Sequence, residues 1–184
     1  MSMRSTKKLT ISSVSAALSV VLLLLSSMLG LMELSVGAVV SVITMIIFIE
    51  IGGSYPYLVW GVTSTISLLL LPSKTVGACY LLVFGIYPML KAYFEKPRVR
   101  VVHFVIKTAY ITLVLLTFIA LCEFVLGVPF FEDMGEYSPT VFRLVKVGVI
   151  ALIYLAFFAY DMFITVISRV YIFKWREKFK TLFK

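Results

Sequence analysis

The chain has 184 residues, of which 61% are hydrophobic and 14% charged, against about 45–50% and about 25% in soluble globular domains. A soluble domain cannot hide that much apolar surface, and a membrane barrel is excluded because the runs Val20 to Leu25 and Ile66 to Leu71 do not alternate in polarity. The net charge of +8 sits beside apolar runs, where lipid phosphate and membrane topology account for it and nucleic acid does not.

Apolar runs predict helices over 10–32, 36–52, 55–71, 75–94, 102–126 and 141–173. The expected fold is an all-α integral membrane bundle of six transmembrane helices in a single domain, 1–184. Arg4, Lys7 and Lys8 before the first run imitate a secretory signal. That run is about twenty residues, against about 7–15 for a signal core, so an uncleaved first helix is expected. Small residues four apart on it (Ser12 and Ala16, Ser13 and Ala17, Ser15 and Ser19) leave a flat face. Another backbone can approach such a face closely, from this chain or from a separate membrane subunit.

The second span ends at Glu50, for which a basic partner such as Lys91 is expected. It turns into the third at Gly52-Gly53-Ser54-Tyr55-Pro56, a tight turn on glycine and proline chemistry. Both spans are short for a bilayer that takes about 20 residues. Pro72-Ser73-Lys74 separates the third from the fourth, on which Tyr80, Tyr87, Phe84 and Gly77 are read as one face. The last helix is about 45–50 Å long at about 1.5 Å per residue, so it must protrude or tilt. Arg143, Lys146, Tyr154 and Asp161 fall near one side of it. A charge such as Asp161 near the bilayer middle costs about 2.5–3.5 kcal/mol and needs a partner. Lys107 in the fifth span supplies one, as a buried ion pair. A proton relay is the rival reading, but no series of carboxylates at helical spacing supports it.

Orientation follows from the lysines and arginines. Arg4, Lys7 and Lys8, then Lys91, Lys96, Arg98 and Arg100, then Lys174, Arg176, Lys178, Lys180 and Lys184 fall on one side if the spans number six. Both termini are therefore expected to be cytoplasmic, in a multi-pass membrane protein. The opposite side receives Glu33, Lys74 and the acidic loop with Glu132, Asp133 and Glu136.

On that outer side Glu33, Lys74, Tyr80, Glu123, Arg143 and Lys146 are the candidates for binding a substrate in an outward-facing pocket. Interfacial snorkelling and an aromatic belt are the competing explanation. The two cysteines, Cys79 and Cys122, have no CxxC spacing, and His103 has no second ligand near it, so no metal or other cofactor is expected. No HExxH, GxSxG or P-loop occurs, which argues against an enzyme.

A small-residue first helix after Lys7-Lys8-Leu9-Thr10, cytoplasmic termini and six short spans in 184 residues resemble the S component of energy-coupling factor transporters. These are the substrate-binding membrane subunits of bacterial importers. The resemblance is architectural and covers most of the chain. The family's Ala-x-x-x-Ala on the first helix corresponds here to Ser13 and Ala17, beside Ala16. Tyr87-Pro88-Met89-Leu90-Lys91 and Tyr160-Asp161 also resemble bacterial membrane proteins with the same span pattern. The S-component resemblance implies a small-molecule pocket near the outer face, a transmembrane T subunit docked on the first helix, and ATPase subunits that supply energy. The outer basic residues favour a substrate with an anionic group. The alternative is a non-catalytic membrane scaffold or assembly protein. An enzyme acting on lipid through Asp161 or Glu123 lacks a second catalytic group.

Overall fold

The computed structural model describes residues 5–30, 32–95, 100–124 and 139–176, and their side chains except those of 100, 121–124, 139–143 and 146. The described residues are helical but for short turns, in six rods: α1 (Ser5–Leu29), α2 (Glu33–Glu50), α3 (Tyr55–Leu70), α4 (Lys74–Phe94), α5 (Arg100–Phe124) and α6 (Pro139–Val170). Five of them are long and apolar enough to cross a membrane. The sixth, α3, has 16 residues, about 24 Å at about 1.5 Å each.

The breaks are where backbone chemistry demands them. Gly52 and Gly53 turn the chain from α2 into α3 with φ of 62° and 64°, a region costly for residues with a Cβ. Pro56 sits in the first turn of α3 and Pro139 begins α6, where a missing N–H leaves no bond unmade. Lys74 reaches back so that its Nζ donates to the Leu69 carbonyl at 2.9 Å, satisfying an orphan acceptor at the end of α3.

Packing divides the bundle. α1, α2 and α3 lie close together, with Ala16, Ile47, Ile51 and Val59 in one cluster. Ser12, Ser19, Ser26 and Ser27 are buried on α1, and Thr63, Ser64 and Ser67 on α3. Small side chains let these backbones approach. α4 is the central rod: half of its span is buried, against 17% for α5 and for α6. Leu23, Val40, Leu71, Val76 and Tyr80 join it to α1 and α2, while Met45, Tyr87, Ile111, Phe157, Tyr160 and Ile164 join it to α5 and α6. Large apolar side chains such as Val14, Leu18, Leu113, Leu116, Leu152 and Leu155 face outward, as a lipid-facing surface requires.

α4 is broken in its middle. Its first α-helical stretch, Lys74–Cys79, passes into a π turn, Tyr80–Phe84, in which the Gly85 amide donates to the Tyr80 carbonyl at 2.8 Å. A second stretch, Tyr87–Phe94, follows with Pro88 in its first turn. Wider winding and a missing proline N–H release carbonyls from the helix ladder. Three neighbouring side chains take them up. Trp60 Nε1 donates to the Leu81 carbonyl at 3.0 Å, the Tyr110 hydroxyl to Leu82 at 2.6 Å and the Tyr160 hydroxyl to Phe84 at 3.2 Å. The break thereby ties α3, α5 and α6 to α4. The sequence reading of 75–94 as one continuous span missed this break.

Candidate functional site

Two features lie one above the other between α2, α4, α5 and α6. The first is a cavity of about 690 Å³ towards the Lys74 end of α4. Its wall takes Ala38 and Val39 from α2, Cys79 and Val83 from α4, Val114 and Phe118 from α5, and Ala156 and Phe163 from α6. Ser35 and Thr75 stand at its rim and are exposed. Its floor is aromatic: Phe84 meets Tyr160 edge-on at 5.1 Å between ring centres, and Phe157 lies beside them. The polar edge of Tyr160 is already committed to the Phe84 carbonyl.

Beneath the floor lies the second feature, a charged cluster. Tyr87 packs against Phe157 at 5.0 Å and donates its hydroxyl to Asp161 Oδ1 at 2.5 Å. Lys91 Nζ bonds the same oxygen and also donates to the Asp161 backbone carbonyl at 2.9 Å. Lys107 Nζ reaches Asp161 Oδ2 at 2.8 Å and Glu95 Oε1 at 3.0 Å, and Lys91 also lies 3.2 Å from Glu95. The Lys91, Lys107 and Asp161 side chains are 6%, 11% and 14% exposed, whereas Glu95 is 40% exposed. Two cations and two carboxylates thus balance, with the buried acid between both lysines. Such pairing offsets the cost of bringing charge into an apolar bundle. The cluster fastens α4, α5 and α6 below the cavity.

The structure brings Lys107 and Asp161 together, with Lys91 and Tyr87 completing the group. The sequence leads one to expect a basic partner for Glu50, of which Lys91 is one example. Lys91 instead lies on the α6 side of α4, and Glu50 Oε1 accepts from Arg176 Nε at 2.9 Å, beyond the end of α6. Tyr80 does not line the cavity. The π turn starts at Tyr80, which is fully buried on the α2 side of α4, and its hydroxyl lies 3.1 Å from Thr44 Oγ1. Nor do Glu33 and Lys74 enter the wall. Glu33 opens α2 half-buried, and exposed Lys74 closes the end of α3. Glu123, Arg143 and Lys146 belong to α5 and α6, but their side chains lie outside the described residues, as do Glu132, Asp133 and Glu136. On α1, Ala16 is buried against the chain's own helices, while Ser13 and Ala17 are exposed. Among the described residues no group of three or more His, Cys, Asp or Glu side chains is placed to hold a metal ion.

Comparison of the chain with protein-family models, with curated proteins and with solved structures finds no match.

Proposed function

We propose that this chain is a six-span protein of a bacterial cell membrane, with both termini cytoplasmic, that captures a small molecule for an importer of the energy-coupling factor type. The cavity between α2, α4, α5 and α6 carries this reading: its volume of about 690 Å³ lies within the about 300–1,000 Å³ of ligand sites. On this reading the Lys74 end faces outward, and the charged cluster closes the cytoplasmic end beneath the aromatic floor. Glu33, Lys74, Glu123, Arg143 and Lys146 all belong to the outward end and would meet the polar part of the substrate. Tyr80 would act through packing instead of contact.

The exposed pair Ser13 and Ala17 gives a T subunit a flat place on α1 to dock. ATPase subunits bound to that partner would then supply the energy. A tagged full chain co-expressed with T and ATPase subunits should capture both, and Ala17→Leu should weaken capture without lowering stability. If the T subunit is never retained, the importer reading fails and a scaffold role takes its place. Thermal shifts across vitamins and nucleosides separate the two further. A ligand at about 100 times its Kd adds about 2.7 kcal/mol of apparent stability, and a scaffold shows none.

A further inference from the structure

Among the described residues the cavity lining is almost without polar groups. Of these lining side chains only those of Ser35, Thr75, Cys79 and Tyr160 carry a hydroxyl or thiol. Ser35 and Thr75 lie at the rim, and the Tyr160 hydroxyl is bonded to Phe84. A space of about 690 Å³ would hold on the order of twenty waters at about 30 Å³ each, yet each buried water needs about two to four polar partners. Water therefore has no footing on the deep walls. An empty space of that size forfeits the dispersion contacts of every side chain around it. Hydrocarbon is the filling that restores them.

The cavity is also open sideways. Along the seam between α2 and α6 its lining residues Leu34, Val39 and Phe163 are 58%, 54% and 37% exposed, and Ala156 and Ala159 are exposed as well. Two alanines on α6 leave a gap where larger residues would form a wall. The seam faces the apolar surroundings of the bundle, whereas Ser35 and Thr75 mark the end where polar groups begin.

We propose that the cavity binds a molecule with a long hydrocarbon body and one small polar end, taken in sideways from the bilayer between α2 and α6. The tail lies against Val83, Val114 and Phe157, and the polar end rests near Ser35 and Thr75. This deepens the importer reading, whose cavity it takes as the binding place, and replaces a compact anionic substrate with an amphiphile. A free amphiphile of the fatty-acid or isoprenoid class and the acyl chain of a membrane phospholipid share the required chemistry.

Cys79 in the cavity wall makes the test direct. The full chain with Cys122→Ser is purified in mild detergent and treated with N-ethylmaleimide, alone and with oleate, farnesol or citrate. Thr75→Cys in a chain lacking both natural cysteines gives a second reporter at the exposed rim. At about ten times its Kd, oleate or farnesol should slow modification about tenfold and saturably, whereas citrate should not. Ala38→Phe with Ala156→Phe, which fills the cavity, should abolish protection of the rim reporter. Val21→Phe on the outside of α1, away from the cavity and 53% exposed, should leave it intact. If the filled variant does not fold, protection in the unfilled chain decides alone. Absence of protection by both hydrocarbons at both reporters, or equal protection by citrate, overturns the proposal. Organic extraction of the purified chain followed by mass spectrometry then distinguishes a phospholipid from a free amphiphile as the natural occupant. T-subunit capture keeps the two readings apart. Capture without protection removes the hydrocarbon ligand and leaves the importer, and protection without capture does the reverse.

Discussion

Asp161 is the residue on which most of the buried charge depends. It accepts from Lys107, Lys91 and Tyr87 together, so its loss leaves two largely buried ammonium groups with only the more exposed Glu95. Asp161→Asn is expected to destabilise the chain by about 3–5 kcal/mol, measured as denaturant unfolding in detergent. Lys107→Met should cost less, because Lys91 and Tyr87 still hold the carboxylate. A larger loss for Lys107→Met than for Asp161→Asn would contradict the cluster as described. Gly85 is a second sensitive position. A Cβ there would stand 2.4 Å from Trp60 Cδ1 and 3.0 Å from the Tyr80 ring. Gly85→Ala should therefore cost about 1–3 kcal/mol by overpacking and shift the tryptophan fluorescence as the indole is displaced. At this scale the sequence is partly readable. Lys107 and Asp161 stand at matching depths on their helices, so their pairing is legible. The place of Lys91 is not, because depth alone allows it to face either Glu50 or Asp161, and only the rotation of α4 about its axis decides.

Among the elements, helix positions follow the apolar runs to within a few residues at most ends, since hydrocarbon demands paired backbone groups wherever the chain is apolar. The winding inside α4 does not follow in the same way. Pro88 was in plain sight, but the π turn before it depends on acceptors being met by Trp60, Tyr110 and Tyr160 from three other helices. This gives a double-mutant test. Tyr160→Phe removes the donor to the Phe84 carbonyl and should cost about 0.6 kcal/mol, the average for hydrogen bonds within membrane bundles, and no more than about 1.7. Pro88→Ala returns an amide to the position that normally serves that carbonyl. In that background Tyr160→Phe should cost close to nothing, and the coupling is read from the unfolding free energies of the four chains. Equal costs in both backgrounds would show that Tyr160 does not stand in for the missing amide. The first helix divides similarly: Ala16→Leu should lower stability, because Ala16 packs inside, whereas Ala17→Leu should leave it unchanged.

For the whole molecule, basic residues predict the topology and burial patterns alone do not. Reporter fusions after Lys184 and before Met1 should respond on the same, cytoplasmic, side, and a reporter in the 127–138 segment on the other. Reporters at the two ends that respond on opposite sides would remove the six-span arrangement. The cavity was not legible as it stands. The sequence offers either an outward pocket with an aromatic wall at Tyr80 and convergent polar groups or interfacial snorkelling of those groups, whereas the cavity walls formed by the described residues are apolar. The cavity lies between α2, α4, α5 and α6, above the aromatic floor of Phe84, Phe157 and Tyr160. Such a gap depends on how rods are inclined, and no residue spacing along one rod records that.

The length of α6 has one further consequence. Its 32 residues run about 48 Å at about 1.5 Å each, well beyond the hydrocarbon thickness of about 30 Å. A rod too long for its host reclines further in a thin bilayer and stands straighter in a thick one. Because α6 forms one wall of the cavity, a change in its inclination would alter the α2–α6 seam, and protection by oleate, on the proposal above, should then vary with the acyl-chain length of the surrounding membrane.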